Sequence, residues 1–86
     1  SVTELDAVTR REPGNVEAWL ALGRAHRMAR EFAPAATAYE AALKLDSSNA
    51  DAWADYADSL ASANGRSLAG KPAKAIDRAL QINPAT

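Results

Sequence analysis

The chain has 86 residues, room for one small domain, and a hydrophobic share of 48% is enough for a core if successive elements stack on one another. Ten Lys and Arg against eleven Asp and Glu give a formal net charge of −1, so no global field draws in nucleic acid or an anionic membrane surface. Cysteine is absent, which excludes disulfides, thiolate metal sites and a cysteine nucleophile without locating the protein in either redox compartment. Much of the apolar content is alanine and only 6% of residues are aromatic, a balance that favours close-packed helices over a sheet. No run approaches the roughly 18 apolar residues of a membrane span, and no signal-peptide pattern opens the chain. A start at Ser1 without methionine reads as a processed product or a segment of something longer.

In chain order, Ser1-Val2-Thr3-Glu4 has the form of a capping box and predicts a short helix through Leu5 and Val8 that ends before Pro13-Gly14, within residues 1–12. Asn15 is a good N-cap for a helix over about 16–29, in which Ala18, Trp19, Leu22, Ala25, His26 and Ala29 recur in steps of three and four. Pro34 fits the first turn of the next helix, where Ala35, Ala38, Tyr39, Ala42, Leu43 and Leu45 form the apolar stripe to about residue 45, and Asp46-Ser47-Ser48 makes a turn. Asn49 then caps a helix whose stripe is Trp53, Tyr56, Ala57, Leu60 and Ala61. An enlarged loop over 64–70 precedes a last helix at about 71–82, which stops ahead of Pro84.

Two of these helices open alike. Asn15-Val16-Glu17-Ala18-Trp19 and Asn49-Ala50-Asp51-Ala52-Trp53 share the pattern Asn-x-acidic-Ala-Trp, with the tryptophans 34 residues apart. Ala42-Leu43-Lys44-Leu45 answers to Ala79-Leu80-Gln81-Ile82 at 37 residues, so three additional residues enter the second repeat between its helices. A period of 34 is that of the tetratricopeptide repeat (TPR), and Trp19, Leu22, Gly23, Ala35, Tyr39 and Ala42 resemble its residue pattern. His26 and Ser47 depart from the usual tyrosine and proline; the second repeat keeps Trp53, Ala79 and Pro84 but has Tyr56, Ala57 and Leu60 at other signature positions. The resemblance implies an all-α antiparallel helix–turn–helix solenoid of about five helices. It would form one domain over 1–86: a preceding partial repeat in 1–12, a first repeat over 16–48 and a second over 50–84.

A narrower likeness lies in Trp53-Ala54-Asp55-Tyr56-Ala57-Asp58-Ser59-Leu60-Ala61 and the Gly65-Arg66-Ser67-Leu68-Ala69-Gly70 loop, followed by an Ala-Leu helix ending in Asn83-Pro84. These segments resemble the periplasmic TPR domain of cytochrome c biogenesis proteins of the CycH type. That likeness implies a non-enzymatic adaptor, part of a membrane-anchored periplasmic protein, that holds an amphipathic C-terminal helix of apocytochrome c beside the haem-ligation machinery. A related haem-lyase subunit serving nitrite reductase is similar in architecture, and a general TPR scaffold in another assembly is the alternative reading.

The TPR resemblance also implies a concave face lined by the first helices: Glu17, Leu20, Arg24 and Arg27 from one repeat, Asp51, Ala54, Asp58 and Ala61 from the next. Leu20, Ala54 and Ala61 would make an apolar floor between a basic helix and an acidic one, suited to an amphipathic helix. The alternative is that Arg24 and Arg27 pair with Asp55 and Asp58 between neighbouring helices. Carboxylates at Asp51 and Asp55 disfavour the carboxylate-gripping mode of chaperone-binding TPR domains. A last helix with no polar cap after Pro84 predicts self-association through that end.

No catalytic set emerges. The single histidine, His26, falls on a packing stripe, and no carboxylate spacing matches a calcium loop. Gly65 and Gly70 lack the Lys-Ser/Thr and preceding strand of a phosphate loop, and no cofactor motif is present. Trp19, Trp53, Tyr39 and Tyr56 sit on apolar stripes and read as packing residues.

Overall fold

The protein's structure is a computed structural model that describes residues 1–65 and 70–84. Five α-helices follow one another: α1 (Val2–Arg11), α2 (Val16–Met28), α3 (Phe32–Leu45), α4 (Ala50–Ala63) and α5 (Lys71–Ile82), with no strand among the described residues. Each helix packs chiefly on the one before and after it, and the first three connections are only three or four residues long, so successive helices are antiparallel neighbours in a solenoid.

The helix starts follow the predicted caps. The Oδ1 atoms of Asn15 and Asn49 each accept the amide of the residue three further on, Ala18 and Ala52, at 3.0 Å, and bonds of this kind stabilise a helix by about 1 kcal/mol. Ser1 Oγ accepts the Glu4 amide at 3.4 Å, and the Glu4 carboxylate returns to within 3.8 Å of the terminal amine, as a capping box requires. Helix α3 starts at Phe32, which puts Pro34 in its first turn, as expected. The first intrahelical amide needed is that of Ala35, which bonds Glu31 O at 3.0 Å, so proline fits without loss in the turn before it.

Helix α2 ends at Met28 in a Schellman turn: the Arg30 amide bonds Arg27 O at 2.9 Å, and the Glu31 amide bonds His26 O at 2.8 Å. That geometry requires a left-handed residue, and Arg30 takes it at φ 62°, whereas the residue after the α4 cap is Gly65 at φ 66°. Arg30 also lies over the Phe32 ring, 5.4 Å from its centroid, a contact that offsets part of the backbone strain. The enlarged loop predicted over 64–70 falls largely on residues 66–69, which lie outside the described residues.

The core is built mostly of alanine. Ala35, Ala36, Ala42, Ala52, Ala57 and Ala75 are buried around Tyr39, which is fully enclosed, and small side chains at the crossings let the helices approach closely. The tightest approach is at Gly23, where a Cβ would stand 2.9 Å from the Tyr39 ring. The hydroxyls of Tyr39 and Ser59 are buried without a hydrogen-bond partner among the described residues.

Candidate functional site

The two tryptophans hold their turns in the same way. Trp19 Nε1 donates to Pro13 O and Trp53 Nε1 to Ser47 O, each at 2.9 Å and each six residues back, so every first helix is tied to the turn that feeds it. The indoles serve the fold, as their repeated positions indicated. Ion pairs repeat with the same period: Arg10 Nε meets Asp6 at 3.0 Å on α1, and Lys44 Nζ meets Glu40 at 3.6 Å on α3.

The eight positions expected on a concave face divide into three groups. Glu17, Arg24, Asp51, Ala54 and Asp58 are exposed on α2 and α4. Leu20 and Ala61 are buried, with Leu20 in the central cluster, so of the expected apolar floor only Ala54 offers open surface. Arg27 bridges the helices, its Nη1 lying 3.2 Å from Asp55 and 3.4 Å from Asp58. The alternative reading of inter-helix pairing is therefore correct for Arg27, while Arg24 forms no ion pair among the described residues. Partly exposed pairs of this kind contribute about 0–1 kcal/mol each.

This face is net acidic, with Arg24 and Arg27 set against Glu17, Asp51, Asp55 and Asp58. Burial pushes the Asp55 carboxyl above its ordinary range, against the opposing pull of Arg27. Burial likewise raises the Tyr39 phenol, with the Asp55 charge adding to it. A shallow depression of about 420 Å³, lined by Arg27, Met28, Arg30, Phe32, Asp58 and Ser62, continues the face at the α2–α3 turn. Met28 is 84% exposed there, the most accessible large hydrophobic residue described.

His26 is placed by packing, with its side chain 16% exposed and Nδ1 3.0 Å from Glu31 Oε1, across the turn into α3. Among the described residues no group of three His, Cys, Asp or Glu is arranged to hold a metal ion, and no helix is long and apolar enough to cross a membrane.

Sequence reasoning missed a second surface on the other side of α4. Tyr56 is buried, and its hydroxyl donates to Glu40 Oε2 at 2.7 Å, joining α4 to α3. The contact holds Glu40 below the ordinary carboxylate range and, after burial, helps push Tyr56 up to about 12. Around this pair lie a cavity of about 340 Å³ between α3 and α4 and two of about 250 and 260 Å³ that reach α5. The α5 wall of the latter two carries Lys71, Lys74 and Arg78, whose spacing of three and then four is a one-sided stripe visible in the sequence.

A family model of the tetratricopeptide repeat matches residues 16–59, about half of the chain, spanning α2, α3 and most of α4. No curated protein gives a significant match.

Proposed function

Since the chain belongs to the tetratricopeptide repeat family, whose domains are typically non-catalytic protein-interaction modules, we propose that the α2–α4 face binds a helix of a protein partner. The observation that carries this reading is the charge arrangement: Arg24 stands exposed on α2, while Asp51 and Asp58 stand exposed on α4 beside Ala54. An amphipathic helix with its own basic and acidic edges would be oriented by those charges and held by apolar burial over Ala54 and at Met28.

The partner we assign is the C-terminal helix of an apocytochrome c, delivered to the haem-ligation machinery in the periplasm, with this chain as one domain of a membrane-anchored protein. Support comes from the likeness of the Trp53–Ala61 segment and the Gly65–Gly70 loop to CycH-type proteins. The whole of 1–86 then acts as one repeat domain. A scaffold role for another client is the second reading, favoured by the breadth of the family match. Self-association has its own basis in Leu80 and Ile82, which are 45% and 38% exposed on α5.

Titration with an apocytochrome c C-terminal peptide, followed by calorimetry, tests the first reading. Saturable binding that weakens about tenfold in Arg24→Glu and in Ala54→Glu is expected, since each places a like charge or a buried polar group against the peptide. Both positions are exposed, so the fold survives the change, whereas Leu20→Glu would disrupt the core. Absence of saturation, or equal affinity for a scrambled peptide, would remove the cytochrome assignment and leave the scaffold role. Sedimentation at rising concentration tests self-association, and a monomer throughout would rule it out.

A further inference from the structure

We propose that the groove between α3 and α5, floored by α4, is a second docking site whose occupant is an acidic peptide segment of a partner protein carrying an aliphatic or aromatic anchor. Trp53, Tyr56 and Leu60 form its floor, on the side of α4 turned away from Asp51, Asp55 and Asp58, so the two faces are separate surfaces of one helix. The anchor enters the cavity of about 340 Å³ between Leu43, Trp53 and Tyr56.

Charge identifies the occupant. The chain as a whole carries a net charge of −1, yet the groove is lined by four cations, Lys44, Lys71, Lys74 and Arg78, against the one carboxylate of Glu40. That carboxylate is already engaged by the Tyr56 hydroxyl at 2.7 Å and Lys44 at 3.6 Å. Lys71 and Lys74 form no ion pair among the described residues and are exposed, while Arg78 lies over the Trp53 ring at 5.6 Å, keeping its charge at the rim of the apolar floor. Acidic side chains flanking an apolar one would meet the rim and the floor together.

The fold does not demand these cations. In the register that aligns Ala79 with Ala42, Lys71, Lys74 and Arg78 answer to Pro34, Thr37 and Ala41, none of them charged. Meanwhile the α3 wall keeps its equivalent, since Glu40 and Lys44 answer to Asp6 and Arg10 at 34 residues. Structural positions repeat between the two grooves, and the basic stripe is confined to the second.

The test is to pan a random peptide display library on the immobilised 86-residue chain and to measure the selected peptides by fluorescence anisotropy. Enrichment of Asp and Glu around an aliphatic or aromatic residue is expected. Affinity should fall about tenfold or more in the Lys71→Glu, Lys74→Glu double variant and be retained in Arg24→Glu. Both lysines are exposed, and circular dichroism verifies that helix content is kept. Selected peptides without acidic enrichment would overturn the proposal, as would affinity indifferent to the lysine variants. Binding of anionic phosphatidylglycerol vesicles by the same lysines, with no acidic peptide emerging, would overturn it in favour of a membrane surface. Loss of apocytochrome peptide binding in Arg24→Glu alone concerns the other face and leaves this site standing.

Discussion

Where α2 meets α3, Gly23 lies against the Tyr39 ring; at the corresponding positions of α4 and α5, the sequence has Ala57 and Ile76, both packed in the core. The first hairpin sets the smallest residue against a large ring, while the second carries two residues of intermediate size at the equivalent positions. They differ again in their polar groups. The first hairpin has Leu22 and Ala25 where the second has Tyr56 and Ser59, so only the second supplies a hydroxyl that reaches back to Glu40 on α3 and a buried serine hydroxyl. The division of bulk between helices thus differs from one repeat to the next, and the polar chemistry differs with it.

The largest effect that would break this comparison is expected from Gly23→Ala. Its Cβ meets a ring that is wholly buried and cannot swing away, so a loss of about 1–3 kcal/mol is expected in urea unfolding, net of the better helix propensity of alanine. Adding Tyr39→Ile rebuilds the second hairpin's pairing in the first, and the double variant should be more stable than the sum of the singles by about 0.5–3 kcal/mol. Strict additivity would show that the two positions do not share a packing constraint.

A smaller effect, about 1 kcal/mol, is expected from Tyr56→Phe, because the bond to Glu40 is charge-assisted but partly open to water. Its pH dependence has a definite sign. The Tyr56 phenol is raised, so its contribution is complete below its ordinary value of 10.0 and is lost as pH climbs from there to about 12. Glu40 is depressed chiefly by the same hydroxyl, so its contribution is present above the ordinary carboxylate range and is lost as pH falls through the lowered value. Denaturation midpoints across pH should therefore change less steeply at both ends in the phenylalanine variant, while the raised Tyr39 phenol and the Lys44–Glu40 pair keep part of each slope; an unchanged alkaline limb would contradict the assignment.

The smallest effect is expected from Ser59→Ala, which restores the alanine of the first hairpin. Removing a buried hydroxyl that has no partner leaves stability unchanged or raises it by up to about 1 kcal/mol. A clear loss in thermal unfolding would mean that the hydroxyl is bonded after all.

Much of the fold was legible because its determinants are local. Asn15 and Asn49 announced the caps, and the 34-residue recurrence of Trp19 and Trp53 announced a shared structural role, though not the turn bonds through which each indole acts. Arg30 was hidden, since a left-handed helix end is read from glycine and the local sequence has none. The concave face was legible only as a set of positions: spacing places Leu20 and Ala54 alike on first helices, but the neighbouring helices decide that one is buried and the other open. The basic groove escaped because it is assembled from three helices, and its members on each look like ordinary surface charge until α3 and α5 are set side by side over Trp53.

The paired indoles make the molecule its own optical instrument. With Trp19→Phe, all tryptophan emission comes from Trp53, which lines the α3–α5 groove beneath the Arg78 cation. With Trp53→Phe, it comes from Trp19 at the Pro13 turn. A ligand entering the groove should then shift the spectrum of the first variant and leave that of the second nearly still, so the two faces can be read separately without attaching a label.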